Sequence, residues 1–326
     1  MADHAEDGDN DGGDIFFIYR GGRAPQHITH ALIDKSIDEI EDNAFRHCMR
    51  LVQVDTHDGI RRVGKNAFFN CKSLRRINLK SVVEIDKEAF FMCTNLELEF
   101  GDRLETIGYD AFNGCASLKH LKLPSIITIG FCAFWNCSCL TDVELSGRLE
   151  TIEASAFYGC NRLQRIAIPL KRNLFVMNQI IQSYNQFDYC RQLTKVDLVG
   201  GIHETVASLH IESWRDEMIA EINQINRILP NTPADEKGDA IRQWMENVVD
   251  KLDHYKADHY RYVKEGITLL ELALWKANLG DKEADRLERE GGRLTRGSWK
   301  RARKEISVTS GAGIVIKNVL PFLQLE

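Results

Sequence analysis

With 326 residues, 44% of them apolar and 28% charged, the chain has the material for a sizeable core and the composition of a soluble protein. No stretch approaches the roughly 18 apolar residues of a membrane-spanning helix, which excludes that class. The net charge of -6 equals the six acids of residues 1–14, leaving 42 basic and 42 acidic residues in the remainder, so the balance favours neither a nucleic acid nor an anionic membrane as partner.

Residues 1–14 (MADHAEDGDNDGGD) carry no Lys or Arg and read as an acidic, disordered tail. The apolar run Ile15–Tyr19 is too short and too acidic in its lead-in for a secretion signal, so the expected location is the cytoplasm. Nine cysteines are an odd number, which with no such signal argues for reduced thiols.

From residue 37 to 200 the sequence repeats. Phe-x-x-Cys-x-x-Leu occurs seven times, with Phe at 45, 68, 90, 112, 134, 157 and 187, in steps of 23, 22, 22, 22, 23 and 30. Ala precedes the Phe in the first six copies, and aliphatic residues stand five and eight positions before it, as in Ile107 and Leu104. After most of these Leu residues an aliphatic pair such as Ile77/Leu79, Leu121/Leu123 or Val143/Leu145 alternates as one buried face of a short strand. A unit of about 22 residues cannot bury its own apolar side chains, whereas stacked copies cover one another in a coil with a parallel sheet along one side. The third copy is one residue short before its strand; placing that strand at Leu98/Phe100 predicts a local distortion between Cys93 and Leu98. In the seventh copy Gln186 replaces Ala, and seven extra residues within 171–186 read as an insertion.

This pattern resembles the BspA-like leucine-rich repeats of the LRR_5 type, over about Ile37 to Leu198. The resemblance implies an α/β fold, a right-handed leucine-rich repeat solenoid with short parallel strands, here followed by an α-helical C-terminal region. It also implies a binding scaffold with no catalytic residue to carry over; bacterial members act as surface adhesins. Residues 15–36 look like the lead-in half-repeat of intracellular members, with Ile28, His30 and Leu32 as its strand.

Within CAFWNCSCL (132–140), Cys137 takes the repeated interior position, while Cys132 and Cys139 fall in polar columns and are expected near the surface. Their spacing lacks the two ligand pairs of a zinc site, and no metal or cofactor is expected. The outward strand residues form the candidate protein-binding face: Arg76, Asn78, Glu97, Glu99, His120, Lys122, Asp142, Glu144 and Arg165. From the second strand to the sixth their sign alternates, so neighbouring strands pair opposite charges.

After Gly200-Gly201 the period becomes helical. Trp214, Met218, Ile222, Ile225 and Leu229 share a face, and Pro230 ends that helix. A second helix is expected to start with Thr232 as cap and Pro233 in its first turn, to run through Ile241, Met245, Val248, Leu252, Tyr255 and Tyr262, and to give way to a denser apolar stretch after Gly266. The region 212–280 reads as a helical hairpin that caps the solenoid, the alternative being a weak homodimer through 212–265. Asp250, His254 and Asp258 share a helix face and read as a solvated flank. Residues 281–305, including KRARK, read as a charged linker, with a nuclear signal as a low-specificity idea. Residues 306–326 form an apolar C-terminal segment, and Gly311-x-Gly313 lacks the rest of a phosphate-binding loop. The expected function is a non-enzymatic protein-protein interaction scaffold with an unknown protein partner. The alternatives are a surface adhesion protein or an enzyme using an unrecognised site in the C-terminal third.

Overall fold

The computed structural model describes residues 13–177, 184–200 and 214–289 and divides into two compact units between Val249 and Asp250. In the first unit the chain winds as a solenoid of short parallel strands. One side carries two four-stranded ladders. The first runs β1 (Phe16–Tyr19), β2 (His30–Ile33), β4 (Gln53–Asp55), β6 (Arg76–Ile77), and the second β9 (His120–Lys122), β11 (Asp142–Glu144), β13 (Arg165–Ile168), β15 (Lys195–Leu198). A second side carries one seven-stranded sheet: β3 (Glu39–Ile40), β5 (Arg62–Val63), β7 (Glu84–Ile85), β8 (Thr106–Ile107), β10 (Thr128–Ile129), β12 (Thr151–Glu153) and β14 (Phe175–Val176).

The repeated residues form the core. All seven Phe side chains are buried, and from Phe45 to Phe187 successive rings stack at 5.0, 5.0, 5.1, 5.4, 5.3 and 5.6 Å. Each ladder thiol also acts as a donor. The Sγ–H of Cys71 reaches the Phe45 carbonyl at 3.0 Å, Cys93 that of Phe68 at 3.1 Å, Cys115 that of Phe90 at 3.1 Å and Cys137 that of Phe112 at 3.3 Å. The side of the solenoid without strands is therefore closed by hydrogen bonds between turns: the Phe amide donates to the next turn's Ala carbonyl (Phe90 to Ala111, 2.8 Å), and the Phe carbonyl receives a thiol. In the seventh turn Gln186 replaces that Ala, and its amide donates to the carbonyls of Ile152 and Val176, so the buried polar group is satisfied.

Two residues per turn hold the left-handed conformation. One column lies two positions before Phe (Asn43, Asn66, Glu88, Asp110, Cys132, Ser155, φ 52 to 61°), and the other two positions after it (His47, Asn70, Met92, Gly114, Asn136, Gly159, Tyr189, φ 55 to 75°). Asn, Asp and Gly tolerate this region best, which explains their abundance there.

Three local expectations are corrected. The lead-in strand buries Ala31 and Ile33 and exposes Leu32, one residue out of phase with the expected Ile28/His30/Leu32 set, and β1 precedes it. In the third copy no strand forms at Leu98/Phe100: Phe100 makes an isolated bridge to Leu79, and the ladder breaks between β6 and β9. In the C-terminal part, helix α1 (Arg215–Ile228) and a 3-10 turn (Leu229–Asn231) precede helix α2 (Lys237–Arg289). Thr232 is extended and its hydroxyl donates back to the Ile228 carbonyl at 3.1 Å, so it does not cap α2. The helix passes Gly266 and the denser apolar stretch after it, and carries through the first residues of the expected linker to Arg289. A single glycine costs only about 1 kcal/mol, and the helix formers around it outweigh that. Residues 290–326, with KRARK, the glycine pair and the apolar end, lie outside the described residues.

Within the first unit, α1 closes the last strand. Trp214, Met218, Ile222, Ile225 and Leu229 are buried, and the Asn226 side chain takes the place of a further strand. Its Oδ1 accepts from the Val196 amide at 2.7 Å, and its Nδ2 donates to the Val196 carbonyl at 3.1 Å. Lys237, at the start of α2, is buried and donates from Nζ to the carbonyls of Arg191 (3.1 Å) and Leu193 (2.5 Å). Burial lowers its pKa. In the second unit α2 leaves Tyr260, Ile267, Leu270, Leu274 and Trp275 exposed, and His254 lies 3.5 Å from Asp258.

Candidate interaction surfaces

The strand face places the nine predicted residues in two groups. On the second ladder the charges are largely consumed. Arg165 bonds to Asp142 at 3.1 Å and to Asp197 at 2.7 Å, and the hydrogen bond to Asp197 raises its pKa. Lys122 stands 3.9 Å from Glu144, and the His120 ring nitrogen is 3.4 Å from the Thr141 hydroxyl. Exposed pairs of this kind contribute at most about 1 kcal/mol each.

The ladder gap breaks the alternation between Arg76 and Glu97. Glu97 pairs instead with Lys119, at 3.6 Å and with both side chains more than 60% exposed. Asn78 spends its side-chain oxygen on the Lys80 amide, and its carbonyl accepts from the Thr56 hydroxyl. Here Gln53, Asp55, Arg76, Asn78, Glu97 and Glu99 line a recess of about 450 Å3, together with the half-buried Leu98 and the core residues Val54 and Ile77. The third copy produces it: one residue short before its expected strand, it leaves Leu98 outside the ladder.

Cys132 is a further correction. It was expected near the surface but is buried, and burial pushes its thiol up to about 12. Its column is polar because the backbone there is left-handed, not because it faces solvent. Cys139 is half-exposed, with the Arg162 guanidinium 3.9 Å from its sulfur. Among the described residues no group of three or more His, Cys, Asp or Glu is placed to hold a metal. Because the thiolate is the reactive form, native protein is expected to consume one equivalent of a thiol reagent rapidly, at Cys139, and the other eight only on unfolding. Mass spectrometry of the labelled peptides checks this; fast labelling of Cys132 would contradict its burial.

Sequence reasoning missed a band of aromatic side chains on the strandless side. Phe69 stacks on Phe91 at 4.9 Å, Tyr109 on Phe131 at 5.5 Å and Trp135 on Tyr158 at 3.9 Å, with Tyr184 and Tyr189 beside Tyr158 at 4.6 and 5.1 Å. Arg46 lies over Phe69 and Lys87 over Tyr109. The band crosses two columns that also hold Asn113 and Ala154, so no single column announces it.

Stacked turns of about 22 residues, a Phe-Cys-Leu interior and a parallel sheet along one side define a leucine-rich repeat solenoid. The model of the BspA type leucine rich repeat region matches residues 24–98 and 97–208 in six copies, more than half of the chain, and the chain belongs to that family. Among solved structures it is similar to the T. pallidum leucine rich repeat protein TpLRR, with 27% identity over 54% of this chain and 81% of that one, TM-score 0.46. It is also similar to a leucine rich cell surface protein of Faecalibacterium prausnitzii, with 26% identity over 52% of this chain and 55% of that one, TM-score 0.44. No curated relative matches the chain.

Proposed function

We propose that the protein is a non-enzymatic scaffold that binds other proteins in the cytoplasm, and that its strand face docks a partner at the ladder gap. The recess at the ladder gap carries this reading: Arg76 and Glu99 line it as exposed charges, the Glu97–Lys119 pair at its edge is more than 60% exposed on both sides, and Leu98 is half-buried within it. Family membership supports a binding role, since the repeated Phe, Cys and Leu are committed to packing and leave only surfaces for recognition. The exposed apolar residues of the second unit supply another contact surface.

Reversing charge at the recess (Arg76→Glu, Glu97→Lys, Glu99→Lys) is expected to remove partners from an affinity purification in the native cell, while the melting temperature stays within a few degrees because these side chains are largely exposed. Reversing Glu144 on the second ladder is the comparison and is expected to retain them. Unchanged recovery in the triple variant would sink the assignment of the face.

A further inference from the structure

Among the described residues the N-terminal edge of the solenoid is open. β1 ends the first ladder, and among the described residues no strand pairs its other edge. Its ladder with β2 is held by alternate residues: the Ile15 carbonyl accepts from the His30 amide at 3.1 Å and the Tyr19 carbonyl from the Asp34 amide at 3.0 Å. Strand alternation therefore turns the amides and carbonyls of Phe16 and Ile18 away from β2, toward the unpaired edge.

The side chains at that edge differ from those of the rest of the strand face. Phe16 is 76% exposed, Ile18 47% and Leu32 51%, and the Phe16 ring stacks on His30 at 4.8 Å. In register these make a two-by-two patch, Phe16 beside His30 and Ile18 beside Leu32, while the next strand presents Gln53 and Asp55. Apolar surface is thus concentrated on the two strands nearest the open edge. Asp14, with its side chain 66% exposed, immediately precedes the patch, and it is the last of the six acids in residues 1–14.

We propose that this edge receives an extended segment of a partner protein as an added parallel strand, and that the segment is basic at its N-terminal end with alternating β-branched residues after it. Main-chain bonds to Phe16 and Ile18 supply the affinity, and side chains laid beside Phe16 and Ile18 continue the apolar patch. Parallel addition sets the segment's first residues beside Asp14, whose exposed carboxylate selects lysine or arginine there. A second copy of this chain is a poorer occupant, since its own edge strand is led by Asp14 and carries no lysine or arginine. The proposal rests on the reading of the protein as a protein-binding scaffold, but it concerns a different surface from the ladder gap.

The test uses the full chain and a synthetic peptide, Lys-Lys-Thr-Val-Thr-Val-Thr, with a Glu-Glu version as control. Calorimetric titration is expected to show saturable binding of the lysine peptide, weakened by salt and absent with the Glu peptide. Hydrogen exchange is expected to slow at the Phe16 and Ile18 amides when the peptide is added, and to leave the already paired Phe17 amide unchanged. Ile18→Pro removes one outward donor without touching the β2 ladder and is expected to weaken binding by about tenfold or more, with Ile18→Ala intermediate. Absence of binding, binding without protection at Phe16 and Ile18, or concentration-dependent self-association at this edge without peptide would each overturn the proposal. Protection in the wild-type chain decides the matter even if the proline variant folds poorly. Because the recess variants keep this edge, peptide binding that persists in them while partners are lost, or the reverse, tells a failure here from a failure of the recess reading.

Discussion

Phe112→Ala is expected to lower the unfolding free energy by about 3–5 kcal/mol. The ring is fully buried between Phe90 at 5.1 Å and Phe134 at 5.4 Å, nearly parallel to both, and Phe100 packs beside it at 5.3 Å with the two rings almost perpendicular. Removing it opens a cavity that the neighbouring turns cannot close, because hydrogen bonds from Phe112 to Ala133 and from Phe90 to Ala111 hold the turns at fixed spacing. Phe100 would lose its ring contact at the ladder gap, so the destabilisation should centre on the third and fourth turns. Urea denaturation measures the total, and hydrogen exchange at Phe90 and Ala111 locates it. Phe112→Leu, which keeps most of the volume, is expected to cost distinctly less. Equal losses for the two variants would show that the aromatic stack itself, more than filled volume, holds the turns together.

Lys237→Met is expected to destabilise the first unit by about 2 kcal/mol, because the carbonyls of Arg191 and Leu193 lose their donor inside the fold. Methionine keeps the length and the apolar stem of lysine, so the loss reports the head group. The pH dependence separates this from a packing effect. Burial lowers the Lys237 pKa in the folded state, so the wild-type contribution is fully present above the unfolded lysine value of about 10.4 and falls as pH drops through the lower folded value. The deficit of the methionine variant should therefore widen between neutral and alkaline pH. A deficit that is constant with pH would mean that the ammonium carries no desolvation penalty at this site.

The interior of the solenoid was legible in the sequence because every turn repeats the same requirement. Phe, Cys and Leu recur wherever a side chain must fill the same space, and the shortened lead-in after Cys93 marked a turn that departs. The polar columns misled for a physical reason. Asn43, Asn66 and Asp110 stand where the backbone is left-handed, so their polarity reports φ and not exposure, and the buried Cys132 shares that column. The donor role of the thiols was hidden as well, since a small apolar residue and a weak S–H donor look alike in a repeat pattern.

The surfaces were less legible because nothing forces them to repeat. The aromatic band leaves the column of Phe91 for that of Tyr109 and Phe131 and returns to the first at Trp135, and so escapes alignment by turn. The open edge depends on β1, whose residues Phe16 to Tyr19 precede the first full copy and follow no repeat at all. Of the predicted strand-face residues, the alternation of sign foretold the pairing of Arg165 with Asp142 and of Lys122 with Glu144. It could not foretell that Glu97 would turn to Lys119, because that follows from the lost strand.

The third copy also shows how such a chain tolerates a shift within a turn. Its strand-face pair stands one position early, yet the step from Phe90 to Phe112 is the same 22 residues as in the turns beside it. On the strand face the shift interrupts pairing between β6 and β9, while on the second side β7 and β8 pair without interruption, Glu84 with Thr106 and Ile85 with Ile107. The irregularity is absorbed within part of one turn, and the turn after it is back in step. One side of the coil can therefore change its outline while the other side keeps count, without the array having to solve its folding problem again.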